Sequence, residues 1–508
     1  MVNAEVASPR AAGFVYSRRR PELGTLYRVV RENLRTLYAA AQDGFAGAAL
    51  PPFVRQEFAD YLDCGQLSRG FAHLECEDCH EHLLVAFSCR SRSFCPSCMG
   101  RRMAQTAANL LDHVLPPAPL RQFVLTLPFE LRQRLAYDGK LLSAVGRIFV
   151  DSVLGFYRRR MRAEGVTDGR SGSVTVVQRC NSDLKLDPHW HGLFVDGVYV
   201  KQTDGQPVFH PLPRLCTEEV GDLMQVVRAR ILSHLARRGV IEAGEDLTVL
   251  DDGFAEREPA LAQLAAASVA GLAPAGPELR RRPDPVAMRG HPGVEITAPL
   301  SVTEMGFSLH AATRAGAEDA RGREALCKYI LRPPLSQERL HLLPDGLVRI
   351  ELRKPYRDGT YAVDMDPLSL LCRLATSIPP PRRHTVHYGG VLAPASKLRP
   401  SVVPPPPPVP AGQEAVATSR PPTHRSIYRP WCELLKRTFA EDVEKCAKCG
   451  GRMKLKALVQ KPENIARFLK HQGEPTEPPP LAPPRAPPHW QARELRHRPQ
   501  AQTELFDA

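Results

Sequence analysis

The strand-like stretch Asp187-Pro188-His189-Trp190-His191-Gly192-Leu193-Phe194-Val195 restricts what this chain can fold into more than any other. In an extended strand residues i and i+2 share a face, so His189 and His191 project side by side while Trp190 turns toward the opposite layer. Two imidazoles on one face can share a metal ion. Neutral imidazole suits Mn, Zn, Fe, Cu or Ni, and with an oxygen ligand added it leaves positions open for a phosphate. The same pattern also fits two half-exposed histidines on a sheet face, so the rest of the chain has to decide.

At 508 residues the chain is too long for one core. Domains of about 100–200 residues predict three or four units. The net charge of +13 favours a polyanionic partner. Nucleic acid comes first, because no basic helix with a membrane-facing apolar side stands out. The first thirty residues carry Arg18-Arg19-Arg20 and no apolar core, which argues against a secretory signal. A reducing cytoplasm is therefore expected, where clustered cysteines read as metal ligands. No apolar run reaches the roughly eighteen residues of a membrane span, and 261–271 is too short.

Apolar positions such as Leu26, Val29, Val30, Leu34 and Leu37 recur at helical spacing among arginines, and Phe53–Phe58 follows Pro51-Pro52, predicting a helical arm. Next come Cys76-Glu77-Asp78-Cys79, fifteen residues, and Cys95-Pro96-Ser97-Cys98. Each C-x-x-C turn aims two sulfurs at one point. The spacing thus predicts a closed Zn2+ site from Cys76, Cys79, Cys95 and Cys98, structural rather than catalytic because it leaves no position for a reactive water. Cys64 and Cys89 fall outside that spacing; they are buried small hydrophobes or, with His73, His80 or His82, ligands to a second zinc. Arg90, Arg92, Arg101 and Arg102 flank the cluster as phosphate contacts or as a generic basic surface.

A helix is expected over 103–115, a strand over 121–128, a long helix over about 141–162, and a strand over 173–178 just before the histidine strand. Strand, long helix, strand, strand is an α+β order, not a doubly wound one. Residues 246–294 lack periodicity and read as an insertion or long loop, and 305–310 as a further strand. The runs at 347–352 and 360–363 read as a hairpin. A polyproline stretch from Pro404 links to a small module with a helix near 431–439, the turn Cys446-Ala447-Lys448-Cys449-Gly450-Gly451 and a strand at 453–459. One such turn is half a zinc site. Cys446 and Cys449 either borrow Cys432 or His471, or form an unmetallated turn. The proline-rich tail from Gly473 is expected to be disordered.

The second chemically telling segment is Gly322-Arg323-Glu324-Ala325-Leu326-Cys327-Lys328-Tyr329-Ile330-Leu331-Arg332-Pro333-Pro334. Its composition is helical until the prolines, and on a helix Tyr329 and Arg332 share a face. A tyrosine so placed can attack a phosphodiester, with Arg332 or Lys328 offsetting charge. As a lone residue it would be an ordinary packing tyrosine.

Together, the cysteine cluster continuing through Phe87–Cys98, His189-Trp190-His191 and Tyr329-Ile330-Leu331-Arg332-Pro333-Pro334 resemble the rolling-circle transposases of insertion sequence family 91 and the related common-region elements. These fall within the His-hydrophobe-His (HUH) single-strand endonucleases. The resemblance covers about 25–472. It implies an antiparallel-sheet endonuclease core with flanking helices, beside an N-terminal zinc ribbon and a small C-terminal module. It implies Mg2+ or Mn2+ on His189 and His191, Tyr329 as nucleophile and a third ligand, with Gln178 the first choice and His310 the second. Family members often carry a second tyrosine four residues earlier; Ala325 stands there, which suggests a one-tyrosine enzyme.

The expected domains are an arm (1–60), a zinc domain (61–105), a catalytic domain (106–395), a linker (396–420), the C-x-x-C module (421–472) and a tail (473–508). The expected activity is transfer of single-stranded DNA ends through a 5′-phosphotyrosine, in the cytoplasm at the nucleoid. No ATP is expected, in agreement with the missing G-x-x-x-x-G-K-[ST] loop. The alternatives are a replication initiator or relaxase of the same chemistry, and a non-catalytic zinc-dependent nucleic-acid-binding protein.

Overall fold

The computed structural model describes residues 18–242, 247–274, 294–356, 359–405, 432–433, 442–486 and 492–495. In chain order, helices α1 (Thr25–Ala39) and α2 (Pro52–Asp63) precede strands β1 (Phe71–Cys76) and β2 (His82–Ala86) and helix α3 (Pro96–His113). Strand β3 (Leu120–Thr126), helices α4 (Phe129–Tyr137) and α5 (Gly139–Ala163), and strands β4 (Gly172–Cys180) and β5 (Leu186–Val195) follow. A hairpin, β6 (Gly197–Lys201) and β7 (Pro207–Pro211), leads to α6 (Thr217–Arg237), α7 (Phe254–Arg257) and α8 (Pro259–Ala270). Strands β8 (Glu295–Ala298), β9 (Ser301–Glu304), β10 (Phe307–His310) and β11 (Arg314–Ala315) precede α9 (Ala320–Leu331). Next are β12 (Leu340–Leu342), β13 (Val348–Glu351), β14 (Ala362–Met365), α10 (Pro367–Ser377), β15 (Val386–Gly390) and α11 (Arg399–Val402). Strand β16 (Met453–Val459), helix α12 (Pro462–His471) and strand β17 (Ala492–Leu495) close the chain.

The chain divides into two units, one drawn from Met1–Gly24, Asp60–Arg90 and Glu414–Pro480, the other from Thr25–Ala59, Ser91–Gln413 and Leu481–Ala508. This differs from the linear order expected, since the first unit takes in the C-terminal cysteine turn and most of the arm joins the second. Strand pairings among the described residues are antiparallel, which makes the fold α+β.

The second unit is built on a sheet in the order β15-β4-β5-β3-β10-β9-β8, with β11 paired to β3. Helix α5 starts where the Asp138 carboxylate accepts the Lys140 and Leu141 N–H groups, capping donors that have no partner within the helix. Its apolar stripe, including Val145, Phe149, Val153 and Tyr157, packs on Phe123, Leu125, Trp190 and Phe194 of the sheet. Gly146 lets this happen, because a Cβ there would meet the Trp190 indole nitrogen at 2.7 Å. On the other face Val174, Val176, Leu193 and Val195 are covered by Ala107 and Leu110 of α3 and Leu326, Cys327 and Ile330 of α9. Trp190 and the histidines thus divide between the two layers as period-2 alternation requires.

Of the segment read as an insertion or long loop over 246–294, the described residues include α8, which buries Leu261, Leu264, Ala265 and Val269, part of this face meeting Ala136 and Leu186, so the loop alternative does not hold there. The alanines of α8 make it apolar nearly all round, which hides the helical period. The tail expected to be disordered is docked as far as residue 486. The Ala482 N–H donates to the Arg31 carbonyl at 3.2 Å, and Arg485 reaches Asn33. A proline-rich segment has little chain entropy to lose, so composition alone did not exclude docking. The helix expected near 431–439 lies outside the described residues, apart from 432–433.

Candidate functional site

Strand β5 is central, and its register fixes what surrounds the histidines. Gln178 of β4 stands opposite His189, and His191 stands opposite Val176 of β4 and Val124 of β3. Val124 in turn faces His310 of β10, so His191 and His310 flank it on one sheet face. The His189 and His191 rings lie 4.9 Å apart. His189 Nδ1 lies 2.6 Å from the Asp187 carbonyl, an acceptor, so Nδ1 carries the proton and Nε2 the lone pair. His191 Nδ1 lies 2.7 Å from the Gln122 side-chain amide. With that amide turned so its oxygen accepts from Nδ1–H, Nε2 is again the lone pair. His191 Nε2 is buried and has no partner among the described residues. Burial depresses both imidazoles below the ordinary histidine range, with His189 adding to the effect on His191. Two neutral, adjacent nitrogen donors, one of them orphaned, suit a divalent cation with open positions.

Helix α9 brings the tyrosine to this face. Asp319 caps it by accepting the Gly322 N–H, and it ends at Leu331. Arg332 is extended (φ −56°, ψ 145°), as a residue before proline should be, so it is not the helical neighbour of Tyr329 that was expected. Its guanidinium nevertheless stacks 4.0 Å from the Tyr329 ring centroid. The Tyr329 ring stands 5.6 Å from that of His191 at 77°, and the residue is 44% exposed, open to a large substrate.

Two residues expected to act directly also make contacts of their own. Gln178, the first choice for third ligand, donates its amide nitrogen to the Tyr329 and Ile330 carbonyls at 3.3 and 3.0 Å, which leaves its amide oxygen, the atom a metal would take. It satisfies carbonyls left over at the helix end and so positions the tyrosine. Lys328 is paired with Glu324 one turn back at 2.9 Å, about 100° round the helix from Tyr329.

Sequence reasoning missed Arg339, Arg353 and Gln122. Burial pushes the Arg353 guanidinium down to about 10, and the Arg332 and Arg339 charges push the same way. Arg332 Nε and Arg339 Nη1 are buried without a hydrogen-bond partner among the described residues. Arg332 and Arg353 stand near the phenol, with Arg339 next to them and partly offset by Glu351 and Asp183, and a phosphodiester could add balancing negative charge. The one sequence signal was that Arg339 and Arg353 follow closely on the Pro333-Pro334 stop.

The cysteine turns pair differently from the expectation. Cys76 and Cys79 meet Cys446 and Cys449, not Cys95 and Cys98, and their four sulfurs lie within 4.8 Å of one another. The cause is β16 pairing antiparallel with β1, with Cys76 opposite Met453. Backbone N–H groups, Cys449's foremost, draw the Cys446 thiol down to about 7. Such a set could hold a metal ion. Cys95 directly precedes α3 without a side-chain capping bond, Cys98 lies in the first turn, and both belong to the other unit. His73 and His82 contact each other at 3.0 Å, and His80 bonds Glu75 at 2.8 Å. Arg90 and Arg92 are exposed; Arg101 and Arg102 are half-buried.

Comparison with known proteins gives two family matches. Residues 34–127 match the family described as "Transposase zinc-binding domain", and residues 172–399 the one described as "Putative transposase". The chain is also 29% identical over 146 residues to the transposase for insertion sequence element IS801 of Pseudomonas savastanoi pv. phaseolicola. That match spans 27% of this chain and 33% of the relative. No solved structure matches the chain. None of the described helices is long and apolar enough to cross a membrane.

Proposed function

We propose that this chain, whose residues 34–127 match a transposase zinc-binding domain and whose residues 172–399 match a putative transposase, cuts and rejoins single-stranded DNA ends through Tyr329. The observation that carries the reading is Tyr329 set edge-on to His191, under the Arg332 guanidinium, on an exposed face. In the proposed reaction the Tyr329 hydroxyl oxygen attacks a backbone phosphorus and loses its proton. The P–O3′ bond breaks, the departing 3′ oxygen takes up a proton, and the 5′-phosphate is left esterified to the phenol. Attack by another strand's 3′ hydroxyl reverses the exchange and restores the tyrosine, so bond energy is kept and no ATP is needed.

Arg332, Arg339 and Arg353 bind and orient the phosphate and offset its charge in the transition state. Gln178 holds the end of the tyrosine helix, and Gln122 and the Asp187 carbonyl fix the tautomers of His191 and His189. Mg2+ or Mn2+ held by His189 and His191 would supply Lewis-acid polarisation of the phosphate. Gln178, through its amide oxygen, is the first candidate for a third ligand and His310 the second. Arg90, Arg92, Arg101 and Arg102 serve as backbone contacts to DNA. Action in the cytoplasm at the nucleoid belongs to the same reading.

Incubation with single-stranded oligonucleotides bearing the element's ends, run on a denaturing gel, tests it. The parent chain is expected to give a shifted covalent band that Tyr329→Phe lacks while still binding the oligonucleotide. An equal band from Tyr329→Phe, or none from the parent, overturns the proposal.

A further inference from the structure

We propose that Cys76, Cys79, Cys446 and Cys449 form a single tetrahedral Zn2+ site, so that the C-terminal segment completes the zinc-binding fold. The matched zinc-binding segment ends at residue 127, far short of the second pair of ligands. This proposal stands independently of the strand-transfer reading.

The sulfur geometry favours a metal over two disulfides. Cys76 and Cys449 sulfurs lie 3.5 Å apart, and those of Cys79 and Cys446 3.6 Å. With Zn–S bonds of about 2.3 Å, the edge of a sulfur tetrahedron is about 3.8 Å. A disulfide would need about 2.05 Å. Both partners bring knuckle turns: the Lys448 and Gly451 N–H groups point at the Cys446 and Cys449 sulfurs, each at 3.4 Å. Gly451 leaves room for the approach, because a Cβ there would collide with Asp78 and crowd the Cys76 sulfur.

The surrounding structure also calls for a staple. Strand β16 lies beside β1, and α12 places Ile465 and Leu469 against Leu67 and Phe71, a core of four buried side chains. Lys454–Glu77, Lys456–Glu75 and Lys448–Glu81 are exposed pairs that add little. A core so small is ordinarily closed by a metal or disulfides. Zinc would tie residues 76–79 to residues 446–449 and hold the two chain segments of this unit together.

Zinc per chain is measured on the full-length protein and on three variants: Cys76→Ser with Cys79→Ser, Cys446→Ser with Cys449→Ser, and all four. Each pair is expected to lose the same one equivalent, with no further loss in the quadruple variant. Losses that add, or an unchanged content in the Cys446 and Cys449 variant, would overturn the proposal. Should the variants fail to fold, the parent chain decides. After chelation and mild oxidation, peptide mapping is expected to find disulfides joining Cys76 or Cys79 to Cys446 or Cys449. Linkage of Cys76 and Cys79 only to other cysteines would contradict the shared site.

Discussion

At the scale of residues, the site is a balance between buried neutral histidines and crowded positive charge. Burial lowers His189 and His191 from the ordinary 6.5. The unfolded chain therefore takes up protons near pH 6.5 while the folded chain refuses them, so stability is fully present above that pH and falls as pH drops below it. With divalent metal chelated, the unfolding free energy from urea titration is expected to fall between pH 7 and pH 5, at up to about 1.4 kcal/mol per pH unit for each histidine. In the His189→Gln, His191→Gln double variant the fall should be shallower; equal slopes would mean other groups carry it. His189, His191 and Tyr329 were legible in the sequence because each sits in a short pattern whose geometry is local. Gln122, Arg339 and Arg353 were not, because they join the site through strand register and the return of the chain after Pro334.

At the scale of elements, the sheet is pinned at one end by a buried charge cluster. Asp196, fully buried just beyond β5, accepts from Arg121 Nε and Nη2 at 2.9 and 3.1 Å, Arg314 Nε at 2.6 Å and the Tyr157 hydroxyl at 3.2 Å. Strands β3, β5 and β11 and helix α5 thus share one carboxylate. Asp196→Ala leaves two arginines uncompensated and is expected to cost about 3–5 kcal/mol in urea unfolding; a loss below about 1 kcal/mol would show that the cluster is not holding the sheet. The strand and long-helix order was readable from periodicity, and α5 and the β13–β14 hairpin appear where it placed them. The role of Asp196 was not readable, since its partners lie up to 118 residues away along the chain. Arg332 shows the same limit: Pro333 foretold its extended backbone, yet its stacking on Tyr329 depends on how the chain leaves the helix.

At the scale of the whole molecule, sequence order and spatial order part company. Two C-x-x-C turns close together in the sequence looked like natural partners, but strand pairing gives Cys76 and Cys79 to a turn near the other end of the chain. Nothing in a single turn's spacing says which other turn it will meet. In the proposed reaction Tyr329 becomes joined to the 5′ side of a cut strand. Mass spectrometry of the protease-digested protein–oligonucleotide adduct tests it most directly. The expected result is a 5′-phosphorylated nucleotide on the peptide containing Tyr329 and on no other; attachment at a different residue, such as Tyr356 or Tyr388, would contradict it.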